Sequence, residues 1–147
     1  MKKTIMAFLS FCCTLAIVLS FPYTSLAANY WENTKCKNYP SLCQQSGYFG
    51  VDTSLNTDRF YVRGNGLRAK LYIRSDVTGN PSQSSFRLEL RKVSNNRVVW
   101  RTNINNHYAG RDLPIGYLDG NTQFYLHFTK PSDGSQVHGY VELYEIE

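Results

Sequence analysis

Three histidines, His107, His127 and His138, are the only imidazoles in this chain of 147 residues, and two of them lie near Glu142 and a run of tyrosines. An imidazole changes charge near neutral pH, so a histidine pair beside a carboxylate can serve as acid and base or hold a divalent metal. With arginines to hold phosphates, His127, His138 and Glu142 would suit a small secreted hydrolase of the nuclease type. The sequence lacks a metal-binding H-E-x-x-H spacing and a nucleophile elbow, and an enzyme is not the favoured reading. No cofactor and no metal is expected.

Tyr125, His127, His138 and Tyr140 suggest a different chemistry. The apolar face of a sugar ring stacks on a tyrosine while its hydroxyls find polar neighbours. If the last two strands pair as a hairpin through Pro131-Ser132-Asp133-Gly134, these four side chains share one surface. Tyrosines are also simply good strand residues, so an ordinary half-buried face remains an alternative.

Charge is unevenly spread. Residues 58–101 hold ten Lys and Arg against Asp58, Asp76 and Glu89, whereas residues 102–147 hold two bases against six acids. Strand parity turns Arg63, Arg74 and Arg91 outward with Tyr61 and Tyr72 between them, a surface that an anionic polymer would fit. The competing reading is a solvated outer face that keeps strand edges from pairing. Asp52-x-Ser54-x-Asn56-x-Asp58 spaces oxygen ligands as calcium loops begin, but Thr57 stands where such a loop needs Gly and Arg63 where it needs Glu. A linker into a strand is the simpler interpretation.

These residues need elements to position them. From Phe60 onward apolar and polar residues alternate in segments broken by Gly, Asn, Asp and Pro, with no helical period sustained for ten residues. The stripes begin at Phe60, Leu67, Phe86, Val98, Leu113, Phe124 and Val137, which predicts about seven strands. Alternation of this kind suits an all-β, antiparallel sandwich of two sheets, each burying one face, in preference to a closed barrel, which is the alternative. Parity specifies one hairpin: with a three-residue loop Ser94-Asn95-Asn96, Phe86 faces Ile104, Leu90 faces Trp100 in the core, Glu89 meets Arg101, and Asn96 is left-handed.

Lys2 and Lys3, the apolar run from Ile5 to Ser20 and the small-x-small triplet Ser25-Leu26-Ala27 read as a signal peptide over residues 1–27. Residues 28–147 then form a single domain that is secreted, extracellular and without a membrane span. Within it, residues 28–57 make an N-terminal segment in which Cys36 and Cys43 are expected to form a disulfide, because an exported pair this close has an oxidising environment. Closing such a ring contributes about 2.5 kcal/mol in the chain-entropy model. Two free thiols are the alternative. In general style the chain resembles small exported β-sandwich proteins of Gram-positive bacteria, a resemblance that carries no site residue. The expected function is a non-enzymatic binding or accessory module acting on an anionic or carbohydrate polymer of the cell surface.

Overall fold

The computed structural model describes residues 28–146; the signal peptide expected over residues 1–27 lies outside the described residues. Ten strands follow one another: β1 (Tyr30–Asn33), β2 (Cys43–Val51), β3 (Ser54–Asn56), β4 (Phe60–Val62), β5 (Leu67–Thr78), β6 (Ser85–Lys92), β7 (Val98–Asn105), β8 (Tyr108–Leu118), β9 (Thr122–Thr129) and β10 (Gln136–Ile146). The seven stripes of the sequence are β4 to β10, and residues 28–57 add three more. All pairings are antiparallel. The first sheet runs β1-β2-β10-β5-β8 and the second β3-β9-β6-β7, with β4 also paired to β9. The protein is an all-β sandwich.

Its core follows from the alternation. In β5, Leu67, Ala69, Leu71, Ile73 and Ser75 are buried, and in β9 Phe124, Leu126 and Phe128. Phe49 of the first sheet reaches across to Phe128 and Phe86 of the second, with ring centroids 4.5 and 6.0 Å away. All three rings are at most 1% exposed, and burying each contributes about 2–3 kcal/mol. Phe49 also shows that the N-terminal segment supplies core as well as the disulfide.

The β6–β7 hairpin has the expected pairs Phe86–Ile104, Glu89–Arg101 and Leu90–Trp100, and Asn96 is left-handed with φ 58°. Its loop is one residue longer than expected. A bulge moves the register so that Arg91 faces Val98, and the Lys92 N–H bonds to the Arg97 carbonyl at 2.9 Å, leaving a four-residue loop. Trp100 packs against the core but stays half-buried, because β7 is an edge strand. Its indole N–H donates to the Pro114 carbonyl at 3.0 Å.

The expected hairpin between the last two strands does not form. β9 lies in the second sheet and β10 at the centre of the first, so residues 130–135 cross between layers. A polar knot holds this crossover. The Lys130 ammonium, with its side chain 2% exposed, donates to the carbonyls of Asp52 (2.9 Å), Pro131 (2.7 Å) and Ser135 (3.0 Å) and to Asp133 Oδ1 (2.8 Å). Asp133 also accepts from the Ser135 N–H and hydroxyl and from the Ser82 N–H. The lysine thus does for four oxygens what a bound cation would do.

Lys130→Met removes the charge and strands these acceptors, and is expected to cost about 3–5 kcal/mol in urea unfolding at neutral pH. Hydrogen bonds from Lys130 and then Ser135 hold the Asp133 carboxyl far below its ordinary value of 3.8. The unfolded chain therefore binds the proton first, so this stabilisation is complete above about pH 5 and declines as the pH falls below about 4. The stability advantage of the native protein over Asp133→Asn should shrink across the same acid range.

Candidate functional site

The outer face of the first sheet is built by parity around β10. His138, Tyr140, Glu142 and Tyr144 point outward, opposite Asp76, Arg74, Tyr72 and Lys70 of β5. On the other side His138 faces Gly50, Tyr140 faces Tyr48 and Glu142 faces Ser46 of β2. The loop closed by the Cys36–Cys43 disulfide folds over the half of this face around Glu142 and Tyr144. Tyr39 stacks on Tyr144 with ring centroids 3.8 Å apart and planes 15° from parallel, and its hydroxyl donates to Asp112 at 3.2 Å. Burial pushes the Tyr144 phenol well above its ordinary range. Glu142 has no exposure and accepts from the Asn38 N–H at 3.0 and 3.2 Å and from the Asn38 amide.

Where the loop stops, a cleft of about 470 Å³ opens on the same face. Its aromatic lining is Tyr30, Tyr48, Tyr72 and the edge of Tyr140; its polar lining is Lys37, Asn38, Arg74, Asp76 and His138. Tyr140 is only 8% exposed, because Lys37 covers it. The Lys37 ammonium sits 4.7 Å from the Tyr48 ring centre and 5.3 Å from that of Tyr140, and it donates to the Tyr48 hydroxyl. Burial raises the Tyr140 phenol above its ordinary value. Tyr30 lies over Gly50, where an added Cβ would come within 2.1 Å of the ring, so the absence of a side chain at residue 50 is what seats this tyrosine. Asp76 accepts from the Val77 N–H at 2.8 Å and lies 2.6 Å from His107 Nδ1. Its carboxyl is held below the ordinary range, mainly by that backbone bond.

Of the residues expected at a site, Tyr72, Arg74, His138 and Tyr140 meet in this cleft. The others do not join them. Tyr125, His127 and Arg91 belong to β9 and β6 of the second sheet, Tyr61 to β4, and Arg63 to the turn after it. The basic surface is therefore divided between opposite faces. On the second sheet, Arg91 is tied to Glu89 through two N–H donors, and Glu89 is 5% exposed between Arg101 and His127. Donating these hydrogen bonds to Glu89 raises the Arg91 pKa. Burial, and next the Arg91 charge, lowers that of His127, whose Nδ1 is 2.6 Å from Asn56 Oδ1. Tyr125 donates to Asn96. This network satisfies itself.

The acid–base trio of the hydrolase reading does not exist: His127 and His138 lie on different sheets and Glu142 is sealed beneath Asn38. The oxygen-rich stretch from Asp52 to Asp58 contains β3, which pairs with β9, and its Thr57 hydroxyl turns inward to accept from the Leu126 N–H. Among the described residues no group of three or more His, Cys, Asp or Glu is placed to hold a metal ion. Sequence reasoning missed Tyr30, Tyr48, Lys37, Asn38 and Asp76. The alternation Ser46, Tyr48, Gly50 was the signal for Tyr48.

The chain matches no family model and no curated protein. Solved structures with some likeness include a carbohydrate-binding module from Cellvibrio mixtus lichenase 5A in complex with cellotriose, at 12% identity and a TM-score of 0.46, covering 81% of this chain and 88% of that one. The C-terminal module of a laminarinase from Zobellia galactanivorans gives 8% and 0.40, covering 82% and 94%. Drosophila melanogaster CENP-C bound to CAL1 gives 11% and 0.38, covering 98% and 99%. These scores describe a loose likeness, and no residue is carried over from it.

Reducing the disulfide, or replacing Cys36 and Cys43 with Ser, should release the loop from Glu142 and unstack Tyr39 from Tyr144. The expected result is a loss of about 2–3 kcal/mol in urea unfolding together with a weakened tyrosine signal in near-ultraviolet circular dichroism, while the far-ultraviolet strand signal remains.

Proposed function

We propose that this protein is a non-enzymatic binding module that holds a saccharide chain in the cleft of its first sheet and acts outside the cell. The observation that carries this reading is the pairing, in one open groove, of tyrosine rings with hydrogen-bonding groups. Tyr30, Tyr48 and Tyr72 offer ring surface, while Asn38, Arg74, Asp76 and His138 line the same groove. Sugar rings need both, an apolar face to cover and fixed partners for their hydroxyls. An open groove suits a chain better than a single small molecule, since a chain can enter and leave at the ends.

Strands position all of these residues except Lys37 and Asn38, and the latter two are held by the disulfide loop. A rigid site of this kind loses little conformational freedom on binding. Action outside the cell is supported by the disulfide and by the export signal expected over residues 1–27.

The test is retention on immobilised polysaccharides followed by titration calorimetry with the oligosaccharide that binds. Tyr72→Ala and Tyr48→Ala should each weaken binding about fivefold to tenfold, the value of one lost aromatic contact. Tyr125→Ala, on the other sheet, should leave it unchanged. Equal loss in all three variants, or retention unaffected by any of them, would remove the cleft from consideration.

A further inference from the structure

We infer that the saccharide held in this cleft is an acidic one, whose carboxylate is received by Arg74 and Lys37; the inference rests on the saccharide reading above. Both cations line the groove. Arg74 stands outward on β5, directly opposite Tyr140. It forms no ion pair and donates no side-chain hydrogen bond among the described residues, although a guanidinium carries five N–H donors in a planar fork that matches a carboxylate. The Lys37 ammonium spends one donor on the Tyr48 hydroxyl and rests against two tyrosine rings, which fix its position without neutralising it.

The one carboxylate in the groove is already engaged. Asp76 accepts from the Val77 N–H and sits 2.6 Å from His107. Glu142, on the same face, is covered by Asn38 and does not line the groove. Two cations thus face a single carboxylate, Asp76, in the groove, so its lining carries net positive charge. Such an arrangement is relieved by an anion and gains little from a neutral sugar. The second sheet differs: there Arg91, the arginine at the centre of the face, is consumed by Glu89.

The experiment compares saccharides that differ only in charge. Oligogalacturonate and its methyl ester, and a second uronic acid oligomer with its ester, are titrated into the full exported chain. The acids should bind at least about tenfold more tightly than their esters, as a charge-assisted hydrogen bond implies. Arg74→Gln should bring the ratio of acid to ester affinity down to about one, whatever it costs the ester. Arg87→Gln with Arg101→Gln, on the opposite face, should leave the preference intact and so exclude a general attraction to polyanions. Acids and esters binding alike would overturn this inference and leave the saccharide reading standing. No binding of any acidic or neutral saccharide across the polysaccharide panel overturns both.

Discussion

Glu142 carries its carboxyl group on the outer face of β10, the middle strand of its sheet, and yet has no exposure to solvent. A polar group in that position costs several kcal/mol unless it is hydrogen-bonded. Asn38 supplies the bonds, from its backbone and from its side chain. To bring Asn38 there the chain between β1 and β2 must leave the sheet edge and lie across two strands. The disulfide holds it in that path, and Tyr39 stacked on Tyr144 extends the cover towards β5 and β8. The cleft exists because the cover is partial: the same loop that seals Glu142 places Lys37 at the margin of the open half.

This constraint also explains the two-sided burial of β10, where Tyr140 through Tyr144 are all buried. Inward residues Val141 and Leu143 meet the second sheet, while outward residues meet the loop. An outward strand face that is half covered and half open gives a groove with a floor of regular backbone. Side chains on such a floor keep fixed spacing. The second sheet has no comparable cover, and its polar groups pair among themselves through Glu89, Arg91, His127 and Asn56.

Most of the fold was legible because one-sided burial writes itself as alternation. The stripes at Leu67–Ile73 and Phe124–Phe128 could belong only to strands, and parity with a three-residue loop paired Phe86 with Ile104. The four-residue loop keeps that register because the bulge takes up the extra residue. The N-terminal strands were not legible for the same reason. In β2 both faces are covered, and the inner position next to Phe49 is Gly47, where a Cβ would come within 2.5 Å of the Trp31 ring and 2.6 Å of the Glu32 carbonyl. A strand of Gln, Ser and Gly fitted around large neighbours reads as a linker, since its apolar complement lies on other strands.

The candidate site was half legible, and the missing half has a single physical source. Parity tells which residues point outward but not towards which layer, because a sandwich has two outer faces. Tyr72 and Arg74 were correctly turned outward, as were Tyr125, His127 and Arg91, but nothing local separates the first pair from the other three. The deciding event is the passage from β9 to β10. A short segment with Pro and Gly normally closes a hairpin, and only its polar content argues otherwise: Lys130 and Asp133 are buried with carbonyls of Asp52 and Ser135, which lie on different parts of the chain. A hairpin turn in water would have left that lysine solvated. Buried, it must be surrounded by acceptors, and the acceptors it finds tie the crossover to the start of β3, which supports the passage of β10 into the first sheet where its histidine and tyrosine appear.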